Sequence, residues 1–403
     1  MSATFSSSSS RRLTRVIGAI AVTVALGAAA ISLGPPSGAT PPTQNGTVAA
    51  GYAGGWLAAQ VTADGSVHGP NNTPSPGATL QTALSLAAAG TESAAFDRAV
   101  TWLGDHVDVV TGTGTATDPG QIGYLLLVVD AAGRDATSFG GVDLPARLAG
   151  TLGAFEPGLY GHADPTYDGT YRQSLAILGL AAAGAPQGAG TVAWLVAQQC
   201  GGVDLAIQGG WEAYRAPATP CTAPDLNSFT GADTNSTALA AQALAAVATP
   251  PAADALGWLS RAQNPSGGWG FLPGMDDDPD STALVIQSIV AGGQSPSTGV
   301  WVKGANTALS ALLAFQLGCD APVANRGAFT YPGGGATPNA LATQQAAWGA
   351  SQHAFPLGPV TFGATPDPCA PVVPAPVPAP VPVPVVEPVA PANPVPAAPA
   401  FTG

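Results

Sequence analysis

The dipeptide Trp-Leu recurs four times in this chain, as Trp56-Leu57, Trp102-Leu103, Trp194-Leu195 and Trp258-Leu259, each time inside an apolar helical segment. Self-similarity of this kind limits the fold more than any local propensity does. Each copy must be one supersecondary unit that buries its apolar face against its neighbours. Leu148 lies in the register of a further copy between the second and third, and Leu312 fills the same slot in a last one, so the chain divides into six units.

The fifth unit, residues 263–293, is the most complete. Gln263 ends one helical segment, Gly267-Gly268-Trp269 forms a turn, Asp276, Asp277, Asp278 and Asp280 crowd a loop, and a second apolar helix starts at Ser281-Thr282-Ala283. Weaker copies have Gln60 and Asp64-Gly65-Ser66-Val67 in the first unit, and His106 where others have Gln in the second. The third has Gly158-Leu159-Tyr160, the fourth Gln198 and Gly209-Gly210-Trp211, and the sixth Gln316 and Gly327-Ala328-Phe329. Each unit therefore reads as helix, long loop, helix. The second helices are apolar on nearly every face and built of small residues, as at Ser236-Thr237-Ala238-Leu239-Ala240-Ala241, which is what burial on both sides requires. The first helices carry more charge, such as Asp97, Arg98 and Arg261, so an inner ring within an outer ring is expected. Glycines at the turns supply positive φ, and Asp280 or Ser281 is placed to cap the helix that begins there.

Hydrophobic residues make up 46% of the 403 residues and charged ones only 9%, so a large core is available. Acids outnumber bases 24 to 11, and loss of a leader holding Arg11, Arg12 and Arg15 leaves 8 bases and a net charge of −16. Charge of this sign disfavours nucleic acid and anionic membrane surfaces. Residues 1–39 read as a signal peptide: three arginines, an apolar run from Val16 to Leu33, Pro35-Pro36, and small residues ending at Ala39, the expected cleavage point. Arg11-Arg12 also permits a twin-arginine route, and the 18-residue run is just long enough for an uncleaved anchor. With cleavage, no stable membrane span is expected. A linker at 40–47 leads to the domain at 48–367. Residues 368–403 form a tail of Pro, Val and Ala with one acid, Glu387, which extended as polyproline II reaches roughly 100 Å.

Four cysteines in an exported chain point to disulfides, and Cys200, Cys221, Cys319 and Cys369 allow three pairings. The local pairing of Cys200 with Cys221 is favoured, and closing that loop stabilises by roughly 3 kcal/mol. Cys319 with Cys369 then pins the C-terminal end. No C-x-x-C spacing for a metal is present.

Gln263-x3-Gly267-Gly268-Trp269 is similar to the Q-x-G-x-W repeat of the squalene-hopene and oxidosqualene cyclases. Their domains are α/α toroids, as are protein prenyltransferase β subunits, transcobalamin and complement thioester domains. The resemblance covers roughly residues 48–358 and implies an all-α, (α/α)6 toroid with six helix pairs. Asp278-Pro279-Asp280-Ser281-Thr282-Ala283 resembles the cyclase D-x-D-D-T-A motif with Ser281 for its last Asp. That implies Asp280 as the acid that protonates a polyene, with Asp278 beside it. Cyclase sites lie between two such domains and this chain has one. Asp168-Gly169-Thr170-Tyr171 resembles the prenyltransferase zinc segment D-G-C-Y, but Thr170 replaces the cysteine ligand and none of His68, His106, His162 or His353 lies in a matching segment. Gln198-Gln199-Cys200-Gly201-Gly202 is not a thioester sequence. G-x-S-x-G, H-E-x-x-H, Walker A and Rossmann fingerprints are missing from the sequence.

If the inner helices run in parallel, Asp118, Asp168, Asp233, Asp278 and Asp280 gather at one end of the ring, where helix N-termini favour carboxylates. They read first as helix caps. Tyr171, Arg172, Asp168 and Asp233 are the residues expected to line the mouth and hold a ligand. No cofactor is expected, apart from calcium as an option at Asp276, Asp277 and Asp278, whose spacing is not that of an EF-hand. Trp211, Trp269 and Phe329 are expected to pack the turns, and His106 to replace the repeat Gln.

The resulting expectation is a secreted or cell-envelope protein that binds a small molecule or envelope macromolecule at the mouth without catalysis, as the transcobalamin branch does. The alternatives are a terpene cyclase-like enzyme using Asp280, and a structural cell-wall protein. Binding calls for a mid-sized cavity with convergent polar groups, whereas a centre filled by side chains favours the structural role.

Overall fold

The computed structural model describes residues 45–69, 71–162 and 168–369. The expected signal peptide, most of the linker and the tail beyond Cys369 lie outside them. Among the described residues there are thirteen α-helices and one two-residue hairpin, β1 (Val302–Lys303) with β2 (Asn306–Thr307), so the fold is all-α. No described helix is long and apolar enough to cross a membrane.

In chain order the helices are α1 (Gly46–Ala58), α2 (Pro76–Ala89), α3 (Ser93–Asp105), α4 (Val107–Thr111), α5 (Pro119–Ala131), α6 (Leu144–Ala149) and α7 (Thr170–Ala182). There follow α8 (Thr191–Ala197), α9 (Thr234–Ala246), α10 (Ala255–Ala262), α11 (Pro279–Ala291), α12 (Ala308–Leu313) and α13 (Ala340–Ser351). The Trp-Leu markers fall in α1, α3, α8 and α10, with Leu148 in α6 and Leu312 in α12.

The second helix of each unit, namely α2, α5, α7, α9, α11 and α13, packs against the next in that order, and α13 returns to α2. Small residues permit this contact. A Cβ on Gly123 of α5 would collide with the Leu175 backbone of α7, and one on Gly349 of α13 would sit 2.6 Å from Ala283 Cα of α11. Every residue from Ser281 to Ile289 is buried, so α11 has no solvent-facing side along that length. The first helices pack outside this circuit and are amphipathic: α3 buries Phe96, Ala99, Val100 and Leu103 while Asp97 and Arg98 face water. α1 departs from the expectation of charge on first helices, since it has none and lies against α13 and α2.

The repeat turn is a hydrogen-bonded latch. Gln263 Nε2 donates to Gly267 O at 2.8 Å and to Trp301 O at 3.0 Å, joining its own turn to the next unit. Gln199 does the same with Gly209 and Ala253, and Gln316 with Gly327 and Ala49, the last bond tying the sixth unit to the first. The aromatic side chains of Trp211, Trp269 and Phe329 are fully buried. Their N–H groups donate to Thr237, Thr282 and Thr343 on the following helix, and Trp211 and Trp269 donate their indole N–H to Leu195 O and Leu259 O. Gly209, Gly267 and Gly327 adopt φ of +98°, +95° and +86° where a Cβ would meet the next unit's backbone.

Two expectations need correction here. The bridging Gln of the fourth unit is Gln199, five residues after the Trp as Gln263 is, rather than Gln198. His106 does not replace it: its Nδ1 pairs with Trp102 O and its ring stacks on Trp102 at 4.2 Å, so it folds back on its own helix. In the third unit the bridge comes from another element altogether, Gln173 of α7, which donates to Gly158 O and Thr191 O.

Both favoured disulfides are present, Cys200–Cys221 and Cys319–Cys369. Residues 352–369 cross the C-terminal ends of the circuit. Phe355 N donates to Gln242, Gly358 N to Asp130, Val360 N to Ala131 O and Gly363 N to Gly90 O.

Candidate functional site

All six inner helices begin at the same end. Arg172 of α7 pairs with Asp118 ahead of α5 at 2.9 Å, Gln344 of α13 donates to Ala78 O and Thr82 of α2, and the Tyr171 hydroxyl feels the charges of Asp233 and Asp280 from α9 and α11. These starts have a common construction. Asp118 accepts from Gly120 N and Gln121 N, Asp233 from Ser236 N, Asp278 from Ser281 N and Asn339 from Ala342 N, each relieving free amides of the first turn. Pro119 and Pro279 occupy the first helical position, where a missing N–H costs nothing.

The cap reading therefore holds for Asp118, Asp233 and Asp278, and fails for two acids. Neither Asp280 nor Ser281 caps α11; Asp278 does, taking Ser281 N at 2.7 Å and Ser281 Oγ at 2.9 Å. Asp280 is left in the first turn with its Oδ1 covered and without a hydrogen-bond partner. Asp168 precedes Gly169, the N-cap of α7, and pairs with Arg172 at 3.0 Å. Arg172 thus joins Asp118 and Asp168, both of which the sequence placed at this end.

A second set gathers beside it. Asp233 is 1% exposed; its Oδ1 caps α9 while Oδ2 has no partner, and the neighbouring Thr234 Oγ1 is likewise buried without one. Thr234 N donates to Phe271 O, so the fifth unit's loop covers this start and excludes water from it. Tyr171 shares a 2.9 Å hydrogen bond with Tyr124, and Tyr331 feels the charges of Asp278 and Asp280. Among the described residues no ion pair reaches Asp233, Asp278 or Asp280.

Burial without a cation fixes the protonation states. Loss of solvation raises Asp280 to about 8, with Asp278 adding repulsion; the residue keeps part of its surface in solvent, but Oδ1 is covered, and that sets the direction. Asp233 rises to about 7 by burial, opposed by its Ser236 bonds. Asp278 rises to about 6, again by burial, opposed by Ser281. Tyr171 rises to about 12 for the same first reason, and Tyr331 rises as well. At neutral pH Asp280 therefore tends to keep its proton, Asp233 is divided between its two forms and Asp278 is mostly ionised.

Several apolar side chains are exposed on the segments that lead into these helices: Phe155 before α7, Leu226 and Phe229 before α9, Tyr331 before α13 and Leu341 in its first turn, each by a third or more of its surface. Leu226 and Phe229 belong to a tight hairpin, 225–230, held by Asp225 bonds to Asn227 N and Ser228 Oγ, in which Phe229 has φ +54°. Tyr124, Thr234, Phe229 and Tyr331 were missed by sequence reasoning. Only Tyr124 carried a signal, being six residues beyond the Asp118 cap, in the second turn of α5.

The acidic run divides. Asp276 is exposed, Asp277 accepts from Asn264 Nδ2 at 2.7 Å, and Asp278 is the helix cap. Among the described residues one group of three donors lies within reach of a single metal ion, Cys200, Glu212 and Cys221, and its cysteines are joined as a disulfide.

Two cavities lie away from the mouth. One of about 530 Å³ opens at the opposite end, between the ends of α2 and α13 and the segment 352–361. Another of about 510 Å³ is on the outer face beside Asp64, Trp102 and His106.

No protein-family model and no curated protein sequence matches the chain. Among solved structures, it is similar to a protein from Actinoplanes at 18% identity and a TM-score of 0.48, over 77% of this chain and 99% of that one. It is also similar to a variant of the type II terpene cyclase MstE from Scytonema in complex with geranylgeranyl dihydroxybenzoate, at 15% identity and 0.49, over 76% and 96%. A second MstE variant, without ligand, gives 14% and 0.48 over 76% and 95%. These likenesses are distant.

Proposed function

We propose that this chain is an exported (α/α)6 toroid, secreted or held in the cell envelope, whose working surface is the mouth where the inner helices begin, and that it binds a small molecule there without catalysis. The closed circuit of helix contacts supports the toroid, and the two disulfides suit an oxidising compartment. The observation that carries binding is that Asp233 Oδ2 and Asp280 Oδ1, at the starts of α9 and α11, are each covered and without a partner. A buried polar atom left without a partner costs on the order of 1–3 kcal/mol, which a ligand that supplies the missing bond recovers. Burial along α11 leaves no bore beside that helix, which favours the structural cell-wall alternative over a ligand held in the centre and restricts binding to the surface of the mouth.

The second reading is an enzyme, and Asp280 favours it. A carboxyl group still protonated at neutral pH, in the position implied by D-x-D-D, has the properties of a general acid toward an isoprenoid. Incubation with squalene and polyprenyl substrates separates the two. Binding without catalysis predicts no cyclised product from folded protein; product from the unaltered chain that disappears in Asp280→Asn would overturn it. In native mass spectrometry of protein from its own host, a co-purifying mass lost on Asp233→Asn is the expected result, and a bare protein mass with no ligand response counts against the mouth.

A further inference from the structure

The cavity of about 530 Å³ at the end opposite the mouth has walls from α1, α2, α11, α13 and the closing segment 352–361. Its floor is the last turn of α2, where Ala87, Ala88 and Ala89 are all buried, and side chains this small are what leaves the space open. The closing segment divides its residues between two faces. Phe355 N and Gly358 N donate into the ring, to Gln242 and Asp130, and neither residue lines the cavity. Ala354, Pro356, Leu357 and Pro359 line it instead; two of them have no amide to donate, and among the described residues none of the four hydrogen-bonds to the ring. The segment is therefore a wall to this space and does not fill it. An apolar cavity of this size with a few polar groups has the build of a small-molecule site.

The lining also decides the charge of what fits. Among the described residues that line the cavity none is Asp, Glu, Lys or Arg. Three helices end beside it, at Ala89, Ala291 and Ser351, and their carbonyl ends carry negative partial charge, which disfavours an anion. A cation would leave water for an apolar wall with no carboxylate to pair with. Hydrogen-bonding capacity is concentrated at one corner. The side chains of Gln352 and His353, adjacent at the end of α13, have no hydrogen-bond partner among the described residues, and neither is buried. Gln352 Nε2 lies against the start of α1, where a Cβ on Gly46 would meet it at 2.7 Å. The geometry points to a second binding site, separate from the mouth, for an uncharged amphiphile: a hydrocarbon body against Ala88, Val290 and Leu357, with one hydroxyl or carbonyl group at the Gln352–His353 corner.

Calorimetric titration of the full chain at pH 7 with octan-1-ol, octanoate and n-octylammonium tests this. Octan-1-ol should bind at least about tenfold tighter than either ion. Ala354→Trp fills the cavity from the closing segment and should abolish that binding, whereas Asp233→Asn at the mouth leaves it unchanged. Retained exchange protection of the Val360 and Gly363 amides verifies that the segment of the Ala354→Trp chain stays in place. Independently of any variant, bound octan-1-ol should give nuclear Overhauser contacts to the methyl groups of Leu357 and Val290. Either ion binding as tightly as the alcohol overturns the uncharged class. Alcohol binding that survives in folded Ala354→Trp, or that is lost in Asp233→Asn, overturns the location, as do Overhauser contacts confined to other methyl groups. No binding of octan-1-ol overturns the site and leaves the mouth to its own test.

Discussion

Asp280 and Asp278 are two residues apart, yet one is a helix cap and the other an enclosed acid with an unpaired oxygen. The D-x-D spacing was legible in the sequence. Which of the two would cap was not, because a shift of two residues in the start of α11 gives the cap to Asp280 instead of Asp278, and Pro279 at the first helical position settles it. Asp233 was legible as a cap and illegible as a buried acid, since the cover over it is Phe271 from the next unit. The consequence is a pH dependence opposite to the usual one for carboxylates. Folded, Asp280, Asp233 and Asp278 hold their protons up to about 8, about 7 and about 6; unfolded, all three ionise near pH 4. Between about pH 4 and 8 the folded state binds more protons, so stability falls as pH rises, by on the order of several kcal/mol in total. At the acid end, Asp64 acts in the other direction: Thr62 and Ser66 hold it down to about 2, so its contribution is present above pH 4 and lost as pH falls toward 2. Asp135 and Asp225, also lowered by their own turns, share that sign. Melting temperature should therefore be highest near pH 4 to 5 and decline toward pH 9. Asp280→Asn should match the unaltered chain at pH 5 and exceed it at pH 9; parallel curves would mean that Asp280 titrates as an ordinary surface acid.

The helix pair with its latch was the most legible element, because its markers are local: a Trp-Leu pair, a Gly-rich turn and an Asp or Asn before a run of small residues. Latch donors were less so. Gln198 and Gln199 are adjacent, and only the distance from the Trp, shared with Gln263, separates the bridging residue from its neighbour. Gln173 was beyond reach, since its bridge comes from the inner helix α7 and becomes visible only after folding brings Gly158 and Thr191 together. The energetic difference is measurable. Gln263→Ala removes two buried bonds and leaves Gly267 O and Trp301 O unpaired, costing about 2–4 kcal/mol. Gln198 makes no such bridge, and Gln198→Ala should cost below about 1 kcal/mol. Urea midpoints of the two variants give the comparison directly; equal shifts would mean that the latch adds nothing beyond side-chain packing.

At the scale of the molecule, the contacts among α2, α5, α7, α9, α11 and α13 return from the last helix to the first, and two features tie the ends of the described chain together. Gln316 reaches Ala49 O, joining the last turn to the first helix, and the segment 352–369 lies across the ends of α2, α5 and α9, fixed by backbone bonds at Gly90 and Ala131 and by Gln242. Its far end is held by Cys369, bonded to Cys319 and within hydrogen-bond distance of Tyr52 in α1. The disulfide therefore joins the sixth unit, the closing segment and the first unit. On the loop-entropy view, a crosslink over 50 residues is worth about 4 kcal/mol. The expected effect of Cys319→Ser with Cys369→Ser is correspondingly uneven. Residues 352–369 lose their anchor and should become the first site of limited proteolysis, ahead of any inner helix. Melting temperature should drop, while Cys200→Ser with Cys221→Ser, which opens a loop of 21 residues near the mouth, should lower it less and leave the closing segment protected. Hydrogen exchange at Val360 and Gly363, whose amides bond Ala131 O and Gly90 O, reads the segment directly. If both amides keep their protection in the Cys319→Ser, Cys369→Ser chain, closure depends on the helix circuit alone and the crosslink is incidental to it.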